Sequence, residues 1–195
     1  MSVARLYTVK KSRKDQKPCG KCGAELPAGT PYLYYYVGFR SNYKYVRCTK
    51  ADCYPMPSER ESSKIAPILA AQENFARNID SADSPDDIAA LVQEVGTAIR
   101  EVADEYQEAL DAWENGNYEL EEKASHYESQ ADEPENWTWG EGDTDYTLCL
   151  EHDGREDEVG EEAIQNCDAC QENREQWLQE CRDAAQEIVD NIEFA

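Results

Sequence analysis

Cys19-Gly20-Lys21-Cys22-Gly23 and Cys48-Thr49-Lys50-Ala51-Asp52-Cys53 set four thiols in two short pairs, with 25 residues between Cys22 and Cys48. A Cys-x2-Cys pair puts two sulfurs on one tight turn, and Gly20 and Gly23 supply the backbone freedom that such a turn needs. Two pairs close a four-sulfur shell that suits zinc and leaves no coordination position open. A closed shell points to a structural metal rather than a catalytic one. The alternative reading is ordinary cysteines or a redox Cys-x2-Cys, but two pairs around an intervening hairpin are far more specific than one. Cys19, Cys22, Cys48 and Cys53 are therefore the expected zinc ligands, with an irregular second knuckle because Cys-x4-Cys is wide.

The elements that must position these ligands are legible between the pairs. Pro31-Tyr32-Leu33-Tyr34-Tyr35-Tyr36-Val37-Gly38 has strand composition, residues 39–42 turn, and Tyr43-Lys44-Tyr45-Val46-Arg47-Cys48 returns. This predicts a β-hairpin feeding the second ligand pair, the layout of a zinc ribbon. So short a module cannot bury a sufficient core, so metal binding is expected to supply its folding free energy.

The hairpin mixes Tyr34, Tyr36, Tyr43 and Tyr45 with Arg40, Lys44, Arg47 and Lys50, below a basic run at Lys10, Lys11, Arg13 and Lys14. Cations neutralise phosphates and aromatic faces stack bases, so these eight hairpin residues are the candidate nucleic-acid contacts. The same tyrosines can instead cover a small sheet, and the basic run can be a solvated tail or dock on the acidic half of the chain.

The run Cys19 to Tyr32, then Val37-Gly38-Phe39-Arg40-Ser41, Arg47-Cys48, and Pro57-Ser58-Glu59-Arg60-Glu61-Ser62-Ser63-Lys64, resembles a family of small zinc-finger proteins encoded by tailed bacteriophages. The resemblance covers residues 5–75. It implies the four cysteines as zinc ligands, an acidic helical tail after a zinc ribbon, and an infected bacterium as the setting. It implies no reaction.

Past residue 64 the chain changes character. Residues 1–64 hold 13 Lys+Arg against 5 Asp+Glu, whereas residues 65–195 hold 6 against 37. An asymmetry this large predicts two modules with different partners. A first helix is expected after Ser63, with Ile65, Ile68, Gln72, Phe75 and Ile79 on one face. A second begins at Ser84-Pro85-Asp86-Asp87, an N-cap, a first-turn proline and two acids at the positive helix end. Its seam runs Ile88, Val92, Val95, Ile99, Val102, Tyr106, Ala109 and Trp113, with steps alternating four and three. Asn115-Gly116-Asn117 breaks it, and Tyr118 to Ala131 is a weaker segment that continues it. The last helix is expected over 160–192, with a seam of Ala163, Cys167, Cys170, Arg174, Trp177, Cys181, Ala184 and Ile188. The second and last helices are expected to pack antiparallel, within the chain or across a homodimer.

Residues 132–158 are acidic and read as a linker or small hairpin, or as disorder. Cys149 and His152, followed by Cys167 and Cys170, have the spacing of a second metal site. The competing reading places Cys167, Cys170 and Cys181 on the helix seam as small hydrophobes.

The expected architecture is mainly α with a small β zinc ribbon: a basic ribbon domain (1–57), an acidic helical region (58–131), the linker (132–158) and a C-terminal helix (159–195). Together the helices form an acidic antiparallel bundle or coiled coil. No apolar run follows Met1-Ser2-Val3 and none approaches membrane-spanning length, so a cytoplasmic protein with no membrane partner is expected. With two histidines and no placeable nucleophile–base set, an enzyme is the weakest class. Two binding functions remain. One is a nucleic-acid-binding or transcription-associated adaptor using the hairpin. The other is an acidic module that imitates DNA, with Asp104, Glu105, Glu108, Asp111 and Glu114 facing a host protein.

Overall fold

The computed structural model describes residues 3–38, 43–113, 116–139, 148–149 and 164–195. The chain is mainly helical with a small antiparallel sheet of three strands in the order β1-β2-β3: β1 (Tyr7–Val9), β2 (Tyr32–Tyr35) and β3 (Tyr45–Arg47). The hairpin of β2 and β3 follows the aromatic composition. Strand β1 is an addition that the basic composition of the N-terminal arm had concealed. The register sets Tyr34 opposite both Tyr7 and Val46, and Leu33 opposite both Thr8 and Arg47. Because side chains alternate along a strand, the first set shares one face and the second the other.

A short helix α1 (Pro57–Arg60) joins the sheet to the helical part. The Ala4 amide donates to the Arg60 carbonyl at 2.9 Å, and the Arg60 guanidinium donates to the Ala4 carbonyl at 2.8 Å. The amide and hydroxyl of Ser58 donate to Glu73 at 2.8 and 2.6 Å. These bonds tie the sheet module to α2 (Ala66–Asn78).

The longest helix, α3 (Pro85–Asp111), starts where its capping signal lies: the Ser84 hydroxyl accepts from the Asp87 amide at 3.1 Å. Ile88, Val92, Val95, Ile99, Val102 and Tyr106 are buried, so the heptad pattern marks the core face. The pattern overshoots at its end. The helix stops at Asp111, and Trp113 is 58% exposed rather than part of the seam.

Segment 118–131 does not continue α3. It belongs to a separate helix, α4 (Tyr118–Glu135), capped by the Asn117 side chain, which accepts from the Glu119 and Leu120 amides. Gly116 sits at φ 70°, in the left-handed region that a glycine enters at no steric cost, and the chain reverses there. Helix α4 then runs back antiparallel along α3. Tyr106 stacks on Tyr127 at 5.8 Å, Arg100 bonds to Asp132 and Glu135, and Gly96 faces the backbone of Glu135.

The last helix, α5 (Asp168–Asp190), is not the antiparallel partner of α3. Gln72 donates to the Val189 carbonyl, and Arg182 donates to the carbonyls of Ile79 and Ala82. Helix α5 thus runs antiparallel to α2. Past its end, the Glu193 amide donates to Gln130 and the Ala195 amide donates to the Tyr127 hydroxyl, so it is antiparallel to α4 as well. Since α2 is antiparallel to α3 through Lys64–Glu105 and Asn74–Glu94, α5 is parallel to α3. Its buried positions are Cys170, Leu178, Cys181, Ala185 and Val189, while Arg174 of the expected seam is exposed. The apolar faces of α2, α3, α4 and α5 close on one another in a single core within one chain. No helix among the described residues is long and apolar enough to cross a membrane.

Candidate metal centres and aromatic face

The first knuckle is a tight turn. The Gly23 amide donates to the Cys19 carbonyl at 2.9 Å, and the Cys19 amide to the Ala24 carbonyl at 2.9 Å. Gly23 takes φ 71°, which a side chain would resist. The Gly20 amide donates to the Val46 carbonyl at 2.9 Å, which fastens this turn to β3 two residues before Cys48. The wide second pair is accommodated by a 3-10 turn over Ala51–Cys53, closed by the Cys53 amide on the Lys50 carbonyl.

These local bonds bring the sulfurs of Cys19, Cys22, Cys48 and Cys53 within 4.8 Å of one another, with Cys22 and Cys48 at 3.7 Å. Cys19, Cys48 and Cys53 are buried, and Cys22 is exposed. None of the eight cysteines is in a disulfide. The four can therefore hold a metal ion. Burial opposes charge on Cys19, but the amides of Cys22, Cys48 and Lys21 point at its sulfur and together bring its pKa down to about 6. Hydrogen bonding to the Cys48 sulfur, then burial, pushes Cys53 up to about 12. A bound cation would favour the thiolate form of its sulfur ligands.

A second group of sulfurs comes from far apart in sequence. Those of Cys149, Cys167 and Cys170 lie within 4.8 Å of one another, with Cys149 and Cys167 at 3.8 Å. Cys167 is the N-cap of α5 and Cys170 is in its first turn. The seam reading therefore holds for Cys181, which is fully buried in the apolar core, and fails for Cys167. His152 lies outside the described residues.

The candidate nucleic-acid residues separate into distinct environments. Arg47 is buried, and its guanidinium donates to Glu59 at 2.9 Å. It is thus withdrawn from any phosphate-contacting surface, because β3 turns it toward α1. Lys44 donates to Gln16 at 3.1 Å and to the Tyr32 hydroxyl at 2.9 Å, and its ammonium lies over the rings of Tyr32 and Tyr34. Tyr34 is partly buried and stacks on Tyr7 at 4.9 Å, with Tyr36 edge-on to it at 5.8 Å. Tyr43 and Tyr45 pack edge-to-face and are 57% and 37% exposed, with the Lys17 ammonium over Tyr43. Lys50 is exposed. Arg40 lies outside the described residues. Tyr7, with Arg5 over its ring, joins this face and was not singled out from the sequence, where a lone tyrosine in a basic arm gives no pairing signal. The basic run of Lys10, Lys11, Arg13 and Lys14 is solvent-exposed.

No family model, curated protein or solved structure matches this chain.

Proposed function

We propose that this chain is a non-enzymatic zinc protein whose ribbon module presents an aromatic and basic face to nucleic acid, as a phage-encoded or transcription-associated adaptor. The zinc assignment rests on the first sulfur cluster. A tetrahedral shell with zinc–sulfur bonds of about 2.3 Å has sulfur–sulfur edges of about 3.8 Å, and Cys22 and Cys48 are 3.7 Å apart. Four sulfurs leave no position for substrate or water, so the metal holds the fold.

The observation that carries the functional reading is the strip of Tyr7, Tyr34 and Tyr36 with Lys44 among the rings. Stacked rings beside cations are what single-stranded nucleic acid requires: faces for bases and charge for the backbone. The exposed Lys10, Lys11, Arg13 and Lys14 extend the charge from the same module. The test is fluorescence anisotropy of the zinc-loaded full-length protein with single-stranded and duplex oligonucleotides across a salt series. Single-strand affinity that falls steeply with salt supports the adaptor. No binding to either strand form at low salt would sink it.

A second reading is supported by α3. Glu101, Asp104, Glu108 and Asp111 are exposed, and among the described residues no ion pair engages them. Such a row can occupy the DNA groove of a host protein. This reading requires the acidic helices and not the ribbon, so neutralising these four acids and leaving the ribbon intact separates the two.

A further inference from the structure

We propose that Cys149, Cys167 and Cys170 form a second metal site, a three-thiolate centre for zinc or a similarly soft divalent cation that pins the Cys149 segment onto the start of α5. Three observations carry it. First, the three sulfurs lie within 4.8 Å of one another although Cys149 and Cys167 are 18 positions apart in the chain. Their contact is a product of folding and not of local spacing. Second, the group is built as a ligand shell is built. The Cys149 amide donates to the Cys170 sulfur at 3.3 Å, and Asn173 donates to the Leu148 carbonyl at 2.9 Å, fixing the approach of Leu148 and Cys149 to the helix. Amide bonds to a ligand sulfur are the outer-shell contacts that orient metal-bound thiolates. Cys167 is the N-cap of α5 and Cys170 lies in its first turn, so one turn of helix sets the spacing of these two sulfurs.

Third, the three sulfurs lie apart from the two apolar clusters formed among the described residues. Cys181 sits in the main apolar core and Cys19, Cys48 and Cys53 sit in the apolar cluster of the ribbon, whereas Cys149, Cys167 and Cys170 belong to neither. The separation of 3.8 Å between Cys149 and Cys167 is also far beyond the roughly 2.05 Å of a disulfide.

The cysteine inventory limits the coordination. Four of the eight belong to the ribbon cluster and three to this one. The eighth, Cys181, is eleven positions along the helix from Cys170, about 16 Å at 1.5 Å per residue. It cannot reach. The fourth position of this centre is therefore filled by a ligand other than sulfur, which makes it chemically distinct from the ribbon site.

The experiment is zinc quantification with native mass spectrometry on the full-length protein, its Cys19→Ser/Cys22→Ser variant and its Cys167→Ser/Cys170→Ser variant. Two metal ions per wild-type chain are expected, falling to one in each double variant. The first variant tests the ribbon and the second this centre, so the two readings fail separately. One ion per wild-type chain, kept by Cys167→Ser/Cys170→Ser, would overturn the proposal. So would a wild-type mass two protons low with a Cys149–Cys167 disulfide found by peptide mapping. Should the second variant not fold, cadmium-113 NMR of the wild type decides. Two resonances are expected, the three-sulfur centre upfield of the four-sulfur one, and a single four-sulfur resonance would overturn it.

Discussion

The guanidinium of Arg47, one residue before the candidate metal ligand Cys48, lies 2.9 Å from the carboxylate of Glu59. The pair joins the last strand of the sheet to α1, and the Met56 amide also donates to Glu59 at 3.0 Å. The cysteine-bearing end of β3 and the entry to the helices are therefore one hydrogen-bonded unit.

Glu59→Gln is expected to cost about 2 kcal/mol, below the 3–5 kcal/mol seen when a fully buried pair is broken, because the Glu59 side chain is about one-third exposed. Burial opposes the charge of Glu59, but the Met56 amide and Arg47 outweigh it and hold its pKa below the usual 4.5. A depressed carboxylate contributes stability above its unfolded pKa and loses it as pH falls from there through the folded value. Urea denaturation from pH 7 down to pH 3, wild type minus Glu59→Gln, should show the difference shrinking only below about 4.5.

Cys19→Ser/Cys22→Ser should remove the ribbon's fold and leave the helices. The sheet module's apolar cluster is small and includes three of the cysteines themselves, whereas the main core includes none of them. Structural zinc supplies apparent folding energies of about 10–16 kcal/mol in finger peptides. Near-ultraviolet tyrosine dichroism should collapse while far-ultraviolet helix signal persists.

Gly96→Ala should loosen the α3–α4 pairing. An added Cβ would meet the Glu135 Cα at 2.6 Å and the Pro134 carbonyl carbon at 2.8 Å, backbone atoms that cannot swing aside. The expected loss is about 1–3 kcal/mol, the range for overpacking a tight interface. A lowered thermal midpoint with unchanged zinc content would confirm that the effect stays in the helices.

For single-stranded nucleic acid, Tyr36→Ala is expected to weaken binding by about 1–3 kcal/mol, the range for one lost stacking platform. Its salt slope should not change. Lys50→Gln should do the reverse, lowering the slope by about 0.7 for one lost phosphate contact. Arg47→Lys should alter stability and leave the salt slope as it is, since that side chain is committed to Glu59. Anisotropy titrations at several salt concentrations separate the three effects.

The residues read correctly from sequence are those whose signal is local. Cys-x2-Cys with flanking glycines shapes its own turn, and Ser84-Pro85-Asp86-Asp87 carries its own cap, so the first knuckle and the start of α3 need no distant contact. The apolar spacing along α3 likewise marks which side chains go inward, because helical geometry alone puts them on one face.

What lies opposite that face was decided by the tertiary structure. Periodicity says that α3 has a stripe to cover and does not name the cover. Gly96, which lets the α4 backbone approach, and the reversal at Gly116 made α4 its antiparallel neighbour and turned α5 parallel to it. The same limit applies to Arg47, which shares its composition with a phosphate-binding strand until Glu59 is seen beside it. It applies to Cys167 and Cys170, whose helical spacing suits a core seam until Cys149 arrives from 18 residues away. Each of these depends on the closure of a loop, and the free energy of a closed loop resides in contacts between its ends, not in any window of residues along it.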